Sequence, residues 1–214
     1  MKFFYRLSAF AVACLFILSA FVGCKDRTEG QDTEAESYSG MPEYDAENIG
    51  NYIKPFEYTG KTVYAKVGET KQEAVWNSVV AAAEILAYPE AQVEYYASQE
   101  RAKYRYYASR DGIDYGELLV SLGVTEESFY EKARGYVKED LVLEYIARDA
   151  GIALTDAEKQ THIDKYAERL SEVYGNDKEY IKANMTEQIY DAMLGDKIME
   201  YLLLNNTVYT SQSK

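Results

Sequence analysis

The sequence predicts an all-α body held behind an acidic tether and an apolar leader. Three observations predict it. Thr70-Lys71-Gln72-Glu73 and Thr155-Asp156-Ala157-Glu158 each have the form of a helix capping box. No proline follows Pro89 in a chain of 214 residues. Between Trp76 and Leu204 apolar residues recur at helical rather than strand spacing.

The leader comes first. Lys2 and Arg6 give a basic start, and an uncharged, mostly apolar run follows from Leu7 to Val22. This is shorter than the ~20 residues of a membrane span and has the regions of a secretory signal. It ends in Phe21-Val22-Gly23-Cys24, which resembles the lipobox of bacterial lipoproteins. The resemblance implies removal of residues 1–23 and lipidation at Cys24, which would hold the chain on the extracytoplasmic face of the cell membrane. An ordinary signal peptide with an incidental cysteine is the alternative. Two acyl chains suffice for stable attachment where one does not.

Residues 24–50 hold eight acidic and two basic residues with several Gly and Ser. Such a composition cannot build a core and predicts a disordered tether. Its root-mean-square span is roughly 30 Å before charge repulsion extends it. Residues 51–69 are mixed, with Pro55 and Gly60 among aromatic and β-branched residues, and predict a short extended segment or strand near 57–66.

The helical body is expected over residues 70–208, with a tail at 209–214. Thr70 opens a first helix that must end before Pro89, whose ring disfavours helical geometry at Tyr88. Pro89 suits the first position of a second helix, which runs to about Arg110 and stops at Asp111-Gly112. A short helix spans Tyr115 to Leu122, and Gly123 ends it. Thr125 caps the next, closed by Gly151, and its stretch Leu141 to Ala147 is apolar nearly all round, which predicts deep burial. Thr155 opens a helix ended by Gly175, a brief helix lies near Asp177 to Ala183, and a last one covers about Thr186 to Leu204.

Several strings in this body resemble the C-terminal chaperone domain of trigger factor. They are Ala87-Tyr88-Pro89-Glu90-Ala91-Gln92-Val93, then Leu122-Gly123-Val124-Thr125-Glu126-Glu127. Leu141-Val142-Leu143-Glu144-Tyr145-Ile146-Ala147 follows, with Gly151-Ile152 and Thr155-Asp156 behind it. The tail from Ile198 to Val208 completes the set. The resemblance implies the multi-helix, SurA-like chaperone fold and binding of unfolded or exported polypeptides. In that family an FKBP-type prolyl isomerase precedes this body. Here only residues 63–74 separate the segment that resembles its lead-in strand from the following helix, so the resemblance implies no isomerase. No ribosome-binding signature is found.

Charge and residue usage exclude other classes. The chain carries 23 basic and 36 acidic residues, and the leader removes only basic ones, so nucleic acid is not an expected partner. Cys14 lies in the leader and Cys24 at its end, while His162 is the only imidazole. Thiolate catalysis, cysteine zinc sites and two-His metal motifs are thereby excluded from the body. No catalytic residue, metal site or cofactor is expected, and the protein is not expected to be an enzyme.

The 22 tyrosines carry the functional expectation. Tyrosine buries a large ring while its hydroxyl stays with water, which suits sequence-tolerant binding of unfolded chains. Tyr95, Tyr104, Tyr106 and Tyr107 are the candidates, because four rings on one helix cannot all face one core. The expected function is a membrane-anchored holdase. The alternative is a surface scaffold or adhesion lipoprotein that binds one folded partner.

Overall fold

Thr70 accepts from the Glu73 backbone N–H at 3.1 Å while Glu73 accepts from the Thr70 N–H at 2.8 Å, so the first capping box is closed on both sides. It opens α1 (Lys71–Ala82) in the computed structural model, which describes Pro42 and residues 45–210, with Val173 and Tyr174 described in their backbone only. The leader, Cys24 and most of the tether lie outside the described residues. Six further α-helices follow among them: α2 (Glu90–Asp111), α3 (Tyr115–Leu122), α4 (Glu126–Asp149), α5 (Asp156–Tyr174), α6 (Lys178–Asn184) and α7 (Thr186–Leu204). A 3-10 turn covers Ala46–Asn51, so regular structure reaches into the last residues of the stretch expected as tether.

Local chemistry explains most boundaries. Asp114 and Asp177 accept from the N–H three residues on, which starts α3 and α6. Ser128 N–H does the same to Thr125 at 3.2 Å and starts α4. Gly112 and Gly123 take left-handed φ of 67° and 63° and end α2 and α3, a conformation that a side chain would strain. Pro89 is not the first helical residue as expected. It holds the extended cap position, with φ −62° and ψ 107°, and α2 begins at Glu90.

The chain divides into two compact units. The described part of the first comprises residues 46–87 and 138–210. Its core joins Val75, Trp76 and Val79 of α1, Val142 and Ile146 of α4, and Ile198, Met199 and Leu202 of α7, with Ile53 and Tyr58 from the extended segment. The apolar run of α4 is therefore packed as expected. Leu141, Val142 and Ile146 are fully buried, whereas Leu143 and Tyr145 are partly so.

The extended segment holds β1 (Thr62–Ala65), and its partner departs from expectation. The helical domain does not continue to Val208. The chain leaves α7 at Leu204 and forms β2 (Thr207–Thr210), parallel to β1 with Val63 opposite Val208 and Tyr64 opposite Tyr209. Four residues are too few to show strand periodicity, and a parallel partner must come from a distant part of the chain. Val63 and Ala65 face inward onto Ala74, while Tyr64 and Tyr209 stack outside at 5.4 Å.

The described part of the second unit holds Pro42, Asp45 and residues 88–137, hence α2, α3 and the first half of α4. Val93, Tyr95, Tyr96, Ala97, Ala108, Leu119, Phe129, Ala133 and Val137 are its buried apolar residues among those described. Glu100 is also buried and receives Lys132 at 2.6 Å, Lys103 at 3.2 Å and the Tyr136 hydroxyl at 3.3 Å. Burial alone would push its carboxyl up. The Lys132 hydrogen bond and the two ammonium charges outweigh that and hold it below the ordinary value.

Candidate polypeptide-binding surface

Helix α2 carries tyrosines on more than one face because its apolar positions are filled by aromatic rather than aliphatic residues. The structure gathers three of the four expected rings. Tyr104 lies 5.3 Å from Phe129 and 6.3 Å from Tyr107, and Tyr107 lies 5.9 Å from Tyr106. All three are half-buried, so each has one face in contact with protein and part of its surface in water. Cations flank the group, with Lys103 5.6 Å from the Tyr104 ring and Arg110 5.3 Å from that of Tyr107.

Tyr95 does not join them. It is 7 % exposed and packs edge-on against Tyr96 at 5.4 Å. Nine residues of helix, ~14 Å, separate it from Tyr104. Its ring is part of the unit's interior and offers no accessible surface to a client, which corrects the sequence expectation for this residue. Spacing along one helix shows that four rings cannot share a face, but not which face the fold covers.

Sequence reasoning also missed exposed apolar residues in the same unit. Ile113, just before α3, is 43 % exposed, and Val120 and Leu122 within α3 are 82 % and 56 % exposed. A helix of eight residues can bury one stripe only. Here Leu118, Leu119, Val120 and Leu122 point around much of the circumference, and Leu119 takes the buried place. That surplus of apolar residues over one stripe was the available signal.

A cleft of about 670 Å³ lies between α2 and the first half of α4, lined in part by Tyr88, Val93, Glu94, Tyr130 and Arg134. Three of its polar side chains, Glu94, Tyr130 and Arg134, are already paired. The Tyr130 hydroxyl donates to Glu94 at 2.7 Å, and Arg101 bridges Glu94 at 3.4 Å and Glu126 at 2.9 Å. A wall of paired polar groups and aromatic carbon suits loose contact. Glu126 and Glu127 accordingly hold Arg101 and Arg134. Among the described residues no group of His, Cys, Asp and Glu is placed to hold a metal ion. His162 is exposed on α5.

Residues 60–204 match the model of the bacterial trigger factor protein C-terminus. The chain belongs to that family. A curated relative, the trigger factor of Caldicellulosiruptor saccharolyticus, is 26 % identical over 133 residues, which is 58 % of this chain. The chain spans only 28 % of that relative's length. In this trigger-factor C-terminal chain the matched region contains α1 to α7, the tyrosine group of α2 and the exposed apolar residues of α3.

Proposed function

We propose that this chain is a membrane-tethered, extracytoplasmic holdase that shields unfolded or exported polypeptides without catalysis. One observation carries the reading. The second unit keeps Ile113, Val120 and Leu122 in water and also carries a half-wetted tyrosine group, both within the region that matches the trigger factor C-terminus. Where such residues form a contiguous patch they mark an interaction site. Aromatic rings with polar tips bind many sequences weakly. The measurement that tests it is suppression of aggregation of an unrelated, thermally unfolding protein. Failure at excess over the client would sink the reading.

The anchor rests on the leader and the Val22-Gly23-Cys24 junction. No helix among the described residues is long and apolar enough to cross a membrane. Cys24→Ser is expected to move the protein from the membrane fraction to the soluble exported pool. Retention on salt-washed membranes would exclude lipidation at Cys24.

The absence of catalysis is supported by the short link between β1 and α1, residues 66–70, which leaves no insertion there. Uncatalysed X-Pro exchange takes tens to hundreds of seconds. Catalysis by the repurified protein would therefore be easily seen, and would overturn this part of the reading.

A second reading has its own observation. The stacked pair Tyr64 and Tyr209 lies 74 % and 53 % exposed on the outer face of the two-stranded sheet. A flat aromatic patch suits a folded partner. A surface scaffold is favoured if aggregation is not suppressed and Tyr64→Ser abolishes a stable complex.

A further inference from the structure

Gln92 is a primary amide on the first turn of α2 with 2 % of its surface exposed. It carries two donors and an oxygen acceptor, and leaving such groups buried without partners is unfavourable. Its Nε2 donates to the main-chain carbonyl of Pro42 at 3.3 Å. Its Oε1 is buried and has no hydrogen-bond partner. Gln99 lies two turns further along the same helical stripe, and its Oε1 is likewise buried and unpartnered. Both acceptors lack an N–H.

An extended residue presents its own N–H and carbonyl on one side, which is why opposite residues of paired strands exchange two hydrogen bonds. A glutamine amide sets a donor beside an acceptor and can take both groups of one residue. Pro42 supplies the carbonyl alone, because proline has no N–H. With Pro42 seated on Gln92, the donor half of such a pair is made and the acceptor half is not.

We propose that Gln92 is a recognition site for the main chain of an extended polypeptide, and that Pro42 is its resident, half-satisfied occupant. A client segment that brings both N–H and carbonyl completes the pair and displaces Pro42. Such a contact reads main chain rather than side chains, so it tolerates any sequence without proline at the paired position. The identity of the competitor rests on the polypeptide-binding reading above. The contact between Pro42 and Gln92 does not.

The test is hydrogen exchange read by mass spectrometry on the full chain, with Pro42→Ala, Gln92→Leu and the double variant. The client probe is fluorescein-labelled lactalbumin, reduced and carboxymethylated so that it stays unfolded. Pro42→Ala adds the missing N–H. It is expected to slow exchange of the segment carrying residue 42 about five-fold, the factor of one net hydrogen bond, and to weaken client affinity to a similar extent. Gln92→Leu is expected to speed exchange there and to abolish the effect of Pro42→Ala on client affinity.

Unchanged exchange in Pro42→Ala overturns the contact whatever the client does, and this variant, outside every helix, decides the matter even if Gln92→Leu misfolds. Slowed exchange with unchanged client affinity overturns the recognition site alone. If the parent binds no client, the polypeptide-binding reading fails and the site with it, while exchange still reports the Pro42 contact.

Discussion

The Asn206 side-chain oxygen accepts from the Lys61 main-chain N–H at 2.8 Å. Its Nδ2 donates to the carbonyls of Tyr58 at 3.1 Å and Leu202 at 2.8 Å. One amide thus ties the segment before β1 to the last turn of α7 just before β2. A two-stranded parallel sheet is too small to be stable by itself, so this stitch and the packing beneath it hold the pairing in place.

Asn206→Ala is expected to lower stability by about 0.5–1.5 kcal/mol, the net contribution of a hydrogen bond, because this side chain is only half-buried. Urea unfolding measures the loss, and faster exchange at Val63 and Val208 locates it. A variant that unfolds as the parent does would show that the stitch contributes nothing.

Ile146 and Leu143 lie in the same apolar run of α4 and differ in burial. Ile146 is fully buried in the core with Trp76 and Leu202, and Leu143 packs against that core from its edge. Ile146→Ala is expected to cost about 2–5 kcal/mol, and Leu143→Ala about half as much. Equal losses in denaturant titrations would contradict this burial.

The proposed binding surface separates from the core in the same way. Tyr104→Ser, Tyr106→Ser and Tyr107→Ser together are expected to weaken client binding clearly, each ring contributing about 1 kcal/mol or less. Val120→Ser with Leu122→Ser, both at exposed positions, should weaken it without lowering Tm. Tyr95→Ser should lower Tm instead. Client protection and thermal melting on all three variants check this, and a drop in protection confined to Tyr95→Ser would place the surface elsewhere.

Glu158 supplies a pH signature. Its carboxylate receives Lys197 at 2.6 Å and the Thr155 backbone N–H at 2.7 Å, and these bonds hold its pKa down at about 2 against an ordinary 4.5. The folded value is depressed, so the stabilisation is fully present above the unfolded pKa and is lost as pH falls from about 4.5 to about 2. Glu158→Gln keeps the capping geometry and removes the charge. It should lower Tm at neutral pH, and the difference should close across that window. A constant difference down to pH 2 would assign the effect to geometry rather than charge.

The elements themselves were legible because their causes are local. Thr70, Thr155 and Asp177 satisfy helix N-termini within three residues of themselves, and Gly112, Gly123 and Gly175 relieve strain at single positions. Helical periodicity likewise needs only a dozen residues to declare itself. The tyrosine group was half legible for the same reason. Composition and spacing singled out Tyr104, Tyr106 and Tyr107 as candidates, and only packing shows that these three rings cluster, that Tyr95 is covered and that Ile113, Val120 and Leu122 are exposed.

What the sequence by itself determined, then, is where each helix lies, to within a residue at the start of α2, which stretch of α4 is apolar all round, and the family resemblance that follows from their order. The tertiary structure alone decided that β1 pairs with residues at the far end of the domain. It also decided that Tyr95 is covered and that the Gln92 amide meets Pro42. Each of these depends on residues brought together across dozens of intervening positions, where burial and main-chain hydrogen bonding act without any periodic mark on the chain.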